Sequence, residues 1–240
     1  MFIEPTHLVG TDLLGSRCFH FFLDPTEIID QTAQLLELRE ESGITEPPFI
    51  IWEPRAYSCT PGYLRNIIEA LRVVDVFSPS HIELAQIVGM DVPATPDMDA
   101  FERLCAPLML ERIGPGAREI LVIRAGAMGC FVKTETQSVL LPAYHSPSRD
   151  ATADIASKVV DTTGAGNAFL GAFAMGLMQS SGDVIHAASA GNVGASFAVE
   201  QVGVPVLTIS EDREELWNGE EVSTRMQVYK TRLGASSQST

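Results

Sequence analysis

The richest run of chemistry-bearing residues is Asp161-Thr162-Thr163-Gly164-Ala165-Gly166-Asn167, which leads into an apolar, Ala/Gly-rich segment reaching about Ser180. Small residues let a backbone turn tightly and come close to a ligand. A helix that starts where such a loop ends presents free N–H groups and the positive end of its dipole, so Gly164, Ala165 and Gly166 are candidate donors to an anion. A glycine-rich loop-to-helix turn with no ligand explains the same residues, and local physics alone leaves the two readings balanced. No metal centre competes for attention. Cys18, Cys59, Cys105 and Cys130 lack ligand spacing, and the five histidines are dispersed, so the cysteines read as free thiols of a reducing compartment.

The elements that must position this loop alternate in type. Thr26 to Ser42 is amphipathic and ends at Gly43; Phe49 to Trp52 is a short apolar run that reads as a buried strand. Thr60-Pro61 starts a helix to about Arg72, Val73 to Phe77 is a strand, and Pro79-Ser80 opens a helix ending near Gly89. A further helix reaches toward Ile113 and stops at Gly114-Pro115-Gly116; strands follow at Glu119–Arg124, Cys130–Lys133 and Val139–Leu141. Ser146 to Ser157 reads as a surface loop, and helices run from the glycine loop to about Ser180 and, after Gly182-Asp183, to about Gln201. The opening stretch to about Asp24 gives no clear element, and the Ser-rich tail from about Gly234 has a disordered composition. Alternating strands and helices predict a mainly parallel sheet with helices on both faces. The 240 residues suffice for one sizeable domain, and the net charge of −15 disfavours nucleic acid and anionic membranes as partners while leaving nucleotides open. No apolar stretch is long enough to span a bilayer and no leader is evident, which places the chain in the cytoplasm as an expectation.

The run Asp161–Asn167 ahead of a helix resembles the second signature of the PfkB (ribokinase-like) carbohydrate kinases, Asp-Thr-x-Gly-Ala-Gly-Asp. The resemblance implies that Gly164, Ala165 and Gly166 line an anion hole for the transferred phosphoryl group. It puts Asn167 where the family has the Asp that takes the acceptor hydroxyl's proton. Leu121 to Gly129 looks like the family's strand-turn-strand along the ATP phosphates and ribose, with Arg124, Gly126 and Gly129 as nucleotide contacts beside Asp161 and Thr163. A plain β-turn needing two glycines also fits. Ser80-His81-Ile82-Glu83 is similar to the family's Asn-x-x-Glu, which implies Glu83 as organiser of Mg2+; Ser80 and Glu83 equally form a helix capping box. Asn192, within Ala187 to Gly203, falls where a polar adenine contact is expected, although close helix packing also explains that composition. The phrases Trp52-Glu53-Pro54-Arg55 and Val74–Ser80 look most like the fungal, maintenance-of-killer-type branch, which tends to carry Asn in the final signature position.

The implied fold is a three-layer ribokinase-like α/β sandwich with a mainly parallel sheet, lacking the family's N-terminal strands, glycine-pair signature and β-lid. Residues 1–215 form a partial kinase domain and 216–240 a helix and tail. The implied function is ATP- and Mg2+-dependent phosphoryl transfer to a sugar or nucleoside hydroxyl. Two features oppose efficient catalysis. Asn167 cannot accept a proton, and losing a general base costs about 10²–10⁴ in rate. A missing lid leaves the acceptor unpositioned and the phosphoryl group open to water. A non-catalytic nucleotide-binding pseudokinase or scaffold, and a truncated gene product, are the alternatives. An uncovered sheet edge predicts a homodimer or instability.

Overall fold

The computed structural model describes residues 3–93, 95–109, 120–146 and 158–237. The expected helix end at Ile113, its Gly114-Pro115-Gly116 stop, the loop after Ser146 and the last residues of the tail lie outside those ranges. Six strands form one sheet in the order β1 (Cys18–Leu23), β2 (Phe49–Pro54), β3 (Val76–Phe77), β4 (Ile120–Arg124), β5 (Cys130–Lys133) and β6 (Ser138–Leu141). The pairs β1–β2, β2–β3 and β3–β4 are parallel, as the alternation of elements predicts. Helices α1 (Pro25–Glu41), α2 (Leu64–Leu71), α3 (His81–Val88) and α4 (Met98–Met109) intervene between the first strands. Beyond the sheet come α5 (Ala165–Gln179), α6 (Val184–Ala198), a two-stranded ribbon of β7 (Leu207–Ile209) and β8 (Glu215–Trp217), and α7 (Val222–Ser237). No described helix is long and apolar enough to cross a membrane.

The chain divides into two compact units, Met1–Ile123 with Phe131–Ser138, and Arg124–Cys130 with Val139–Thr240. In the first, α1 buries Ile28, Thr32, Leu35 and Arg39, one stripe at helical spacing. Asp24 caps it, accepting N–H bonds from Thr26 and Glu27 at 2.9 Å, while the Glu27 carboxylate accepts the Asp24 N–H at 3.0 Å. The buried Arg39 guanidinium donates to the carbonyls of Leu14, Ser16 and Glu46 and so ties the unread N-terminal stretch to the sheet-flanking helix. That stretch contains β1, whose aromatic Cys-Phe-His-Phe-Phe-Leu run pairs residue by residue with β2. Strand β3 is shorter than its apolar run suggests, for a local reason. Asp75 donates its N–H to Ile50 O, but its own carboxylate accepts the Ile50 N–H at 2.8 Å, so a side chain takes over one rung of the ladder. Trp52 packs on Phe77 at 4.7 Å between ring centroids and donates its indole N–H to Leu23 O.

In the second unit α5 and α6 pack through small residues. A methyl group at Gly191 would strike the Phe169 ring, one at Gly194 would meet the Ala172 methyl and the Ala168 carbonyl, and one at Gly176 would meet Ala190 and Ala187. Helix α7 extends four residues into the segment read as tail. It buries Tyr229 against Tyr144, Val193 and Phe197. Arg225, 3% exposed, stands 3.7 Å over the Phe197 ring and is held by Glu200 and Glu220 at 2.9 and 2.7 Å. His145 joins the same Glu200 oxygen at 2.9 Å.

Candidate functional site: a phosphate-type loop at the head of α5

Gly164 stands at the N-cap of α5 with φ 81°, a left-handed conformation that an L-residue adopts only at a cost, and open space surrounds its α-carbon. Helices α1, α3 and α6 each begin under a side-chain cap from Asp24, Ser80 and Asp183; α5 has none. The loop is nonetheless well held. Asp161 Oδ1 accepts the Thr163 N–H at 2.9 Å, which keeps the carboxyl below its usual range, and Thr162 O accepts the Ala165 N–H. Val199 O, just past the end of α6, accepts the N–H groups of Val160 and Asp161 at 2.7 and 3.2 Å. Among the described residues no acceptor is assigned to the amides of Gly164, Gly166 and Asn167. Thr162, Thr163, Gly164 and Asn167 are exposed, so no side chain among the described residues plugs the corner from solvent.

Arg124, the last residue of β4, reaches this corner. A β-carbon built on Gly166 would stand 2.5 Å from Arg124 Nη1, so the guanidinium lies against the first turn of α5. A cation at a helix N-terminus opposes the dipole unless an anion lies between them. Guanidinium and N-terminal amides together form a donor set suited to a phosphate-like group. The structure therefore brings Arg124, Gly164, Ala165, Gly166 and Asn167 together.

Gly126 and Gly129 bracket the turn from β4 to β5, both with positive φ, and they differ in why. A side chain at Gly129 would collide with the backbone of Leu141, Pro142 and Ala143, so this glycine is demanded by packing. Gly126 faces open space. Asn192 lies buried in the core of the second unit. It is 4% exposed, and its amide donates to Tyr229 Oη at 2.9 Å and to Cys130 Sγ at 3.4 Å. Burial pushes the Cys130 thiol up to about 12, and Cys18 and Cys105 likewise, so these thiols are not nucleophiles.

In the first unit the capping box at α3 forms as its residues predict. Ser80 Oγ accepts the Glu83 N–H at 3.2 Å and Glu83 Oε2 accepts the Ser80 N–H at 2.7 Å. No group of three or more His, Cys, Asp or Glu able to hold a metal exists among the described residues. A single carboxylate suits only a cation that keeps most of its waters, as Mg2+ does. Polar groups also gather where the parallel strands β1 and β2 end, the side on which open α/β sheets take ligands. Glu53, 7% exposed, lies 3.2 Å from His20 Nε2 on the adjacent strand. Arg55 pairs with Glu27 at 3.0 Å, and Tyr57 Oη donates to Asp24 at 2.7 Å. No reading of the residues had singled out His20, Asp24 or Tyr57. The signal available was the charged Glu53-Pro54-Arg55 step directly after an apolar strand.

The pfkB family carbohydrate kinase model matches residues 51–209. An uncharacterised Schizosaccharomyces pombe protein is 30% identical over 95% of this chain and 63% of its own length. Protein MAK32 of Saccharomyces cerevisiae is 26% identical over 91% of the chain and 58% of its own. This chain thus spans about three fifths of the curated relatives it matches. An Escherichia coli protein assigned as ribokinase II, solved with ATP and Mg2+, superposes at a TM-score of 0.55 with 16% identity, covering 96% of this chain and 62% of that one.

Proposed function

The chain belongs to the pfkB family of carbohydrate kinases, and from that premise we propose that it binds Mg·ATP and transfers the terminal phosphoryl group, slowly, to a hydroxyl of a sugar or nucleoside. One observation carries the reading: the exposed, uncapped first turn of α5, with the Arg124 guanidinium laid against Gly166. The amides of Gly164, Gly166 and Asn167 and the Arg124 side chain hold the γ-phosphate. Phosphoryl transfer passes through a loose transition state in which charge spreads over the equatorial oxygens, so fixed donors aimed at them supply most of the protein's contribution. In the step itself the acceptor oxygen bonds to phosphorus as the bond to the ADP oxygen breaks, and the hydroxyl proton leaves to solvent or to a phosphate oxygen. Asn167 orients the acceptor through a hydrogen bond but takes no proton. Mg2+ would accompany the nucleotide and neutralise the phosphates. Four free cysteines suit a reducing compartment such as the cytoplasm.

Asn167 itself favours a second reading, nucleotide binding without transfer, in which the kinase fold serves as a scaffold. Calorimetric titration with Mg·ATP, followed by transfer assays over a panel of sugars and nucleosides, divides the two. Binding with transfer supports the first, binding without transfer leaves the second, and no binding of Mg·ATP rejects both.

A further inference from the structure

The ribbon of the second unit carries an unusual surface. Within eight positions Val202, Val204, Val206, Leu207 and Ile209 are 79, 85, 61, 45 and 60% exposed. Single exposed aliphatic residues are ordinary, whereas five within eight positions are a concentration of the kind that marks an interaction surface. The backbone points the same way. Strand β7 pairs with β8 in the register Leu207↔Trp217, Thr208↔Leu216 and Ile209↔Glu215, and among the described residues β8 is its one neighbour. Val206 O accepts from Asn218 N, and Ser210 N donates to Glu214 O, so residues 206 and 210 face β8. Antiparallel ladders alternate, which turns the N–H and C=O groups of Leu207 and Ile209 toward the open edge. An edge of this type is a template for an added strand.

The ribbon is also rigidly framed. Asn218 and Gly219, with φ 51° and 80°, make a two-residue turn between Trp217 and Glu220, and Arg213, φ 65°, closes the turn between β7 and β8. Asn218 Nδ2 donates to Phe197 O, Glu200 and Gln201, anchoring the ribbon to the end of α6.

Charge selects the occupant. Residues 202–221 contain Glu211, Asp212, Glu214, Glu215, Glu220 and Glu221 against the single cation Arg213, in a chain of net charge −15. Glu220 is satisfied by Arg225; Glu211, Asp212, Glu214 and Glu215 are exposed. A second copy of this chain would bring like charges together. We propose that the outer edge of β7 docks an extended polypeptide segment that alternates aliphatic residues with Lys or Arg, adding a strand antiparallel or parallel to β7. Its aliphatic side chains cover Leu207 and Ile209, which share one face of the strand, and its cations meet exposed carboxylates around the β7–β8 turn. This does not depend on the phosphate-loop reading.

The test uses the full chain and a fluorescein-labelled peptide of alternating valine and lysine, with a valine–glutamate peptide of equal length as control, read by fluorescence anisotropy. Two variants accompany it. Ile209→Pro deletes an N–H turned to the open edge and leaves the β7–β8 rungs at 206 and 210 in place; Glu214→Lys with Glu215→Lys reverses the local charge. Circular dichroism and thermal melting establish that each variant folds. The expected result is saturable binding of the lysine peptide alone, weakened about tenfold on raising salt from about 0.05 to about 0.5 M. Ile209→Pro abolishes it and the double reversal transfers preference to the glutamate peptide. Equal binding of both peptides, no binding of the lysine peptide, or undiminished binding to Ile209→Pro overturns the proposal. So does concentration-dependent self-association in sedimentation that Ile209→Pro removes, which would make a second copy the occupant. Should either variant fail to fold, salt dependence and the contrast between the two peptides on the unaltered chain still decide.

Discussion

Replacing Gly166 by alanine should move stability and nucleotide affinity in opposite directions. Gly166 does not use a left-handed backbone, so alanine is conformationally allowed there. In a helix, alanine in place of glycine is worth up to about 1 kcal/mol in intrinsic propensity. The added β-carbon would lie 2.5 Å from Arg124 Nη1 and 3.7 Å from Cζ, against a comfortable separation of about 3.5 Å. The obstacle is the far end of a flexible side chain, so the guanidinium withdraws by roughly 1 Å and the helix stays put. The net change in folding free energy is then within about 1 kcal/mol of zero. Affinity pays instead, because the displaced cation no longer shares an anion with the α5 amides. A charge-assisted hydrogen bond is worth about 1.5–3 kcal/mol, which is about 10- to 150-fold in Kd. Calorimetry with Mg·ATP and denaturant unfolding, run on Gly166→Ala and on Arg124→Gln, make the comparison. Both variants should bind at least about tenfold more weakly with nearly unchanged unfolding midpoints. If Gly166→Ala binds Mg·ATP as the unaltered chain does, Arg124 is not a phosphate ligand. If it unfolds the protein, the guanidinium is locked in place and the argument from a yielding contact fails.

Asn167→Asp restores a proton acceptor at the head of α5 and should raise the transfer rate, by up to the roughly 10²–10⁴-fold attributed to a general base; an unchanged rate in a radiolabelled-phosphate assay would mean that acceptor positioning limits turnover. Gly194→Ala pushes a methyl into the Ala172 methyl and the Ala168 carbonyl, where backbone cannot give way, and should cost about 1–3 kcal/mol by chemical denaturation; a neutral result would mean that α5 and α6 are less tightly apposed. The pH dependence of stability should show one further feature. Burial lowers the pKa of His145 below the ordinary 6.5, with Glu200 pulling the other way and Arg225 and Lys158 adding to the depression. The folded state then binds fewer protons than the unfolded one below that pH, so stability is held above about 6.5 and lost as pH falls toward the depressed value. His145→Gln should flatten this slope in unfolding titrations, and an unaltered slope would assign it to another group.

The sequence was informative where one local signal decided the structure. Ser80 announces a helix start, Gly89 ends α3 in the left-handed conformation, and the small residues of 161–167 give the turn into α5. It was silent where distant partners decide. Strand β1 reads as an undirected aromatic run until β2 provides its ladder, and β3 is cut short by Asp75, whose side chain bonds a residue twenty-five positions away. The β7–β8 ribbon went unread; the one local sign near it, Asn218-Gly219, marks the turn that follows β8 rather than the ribbon itself. Asn192 illustrates the limit on site residues. A polar amide among small helical residues suits a ligand contact and a core network equally, and only the position of Tyr229, thirty-seven residues onward, selects the core.

Arg124 turns that limitation around. In the sequence it is one cation at the end of an apolar strand, standing where the resembling family often has threonine, and nothing local ties it to residue 166. The fold does so by placing the end of β4 beside the first turn of α5. The geometry also explains what glycine at position 166 provides: a β-carbon there would displace the guanidinium from its present place. The two residues thus constrain each other, a small residue making room for a large cation. A phosphate-like anion at that corner would meet both the helix N-terminus and the guanidinium. Asn167 removes one negative charge from the same corner, relative to the aspartate of the family signature. A corner with an added guanidinium and a missing carboxylate is more positive than its relatives' signature predicts. On the proposed reading such a corner holds a phosphate more firmly than it hands it on. Nucleotide affinity with weak turnover is then the expected joint consequence of the two departures, not a sum of unrelated losses.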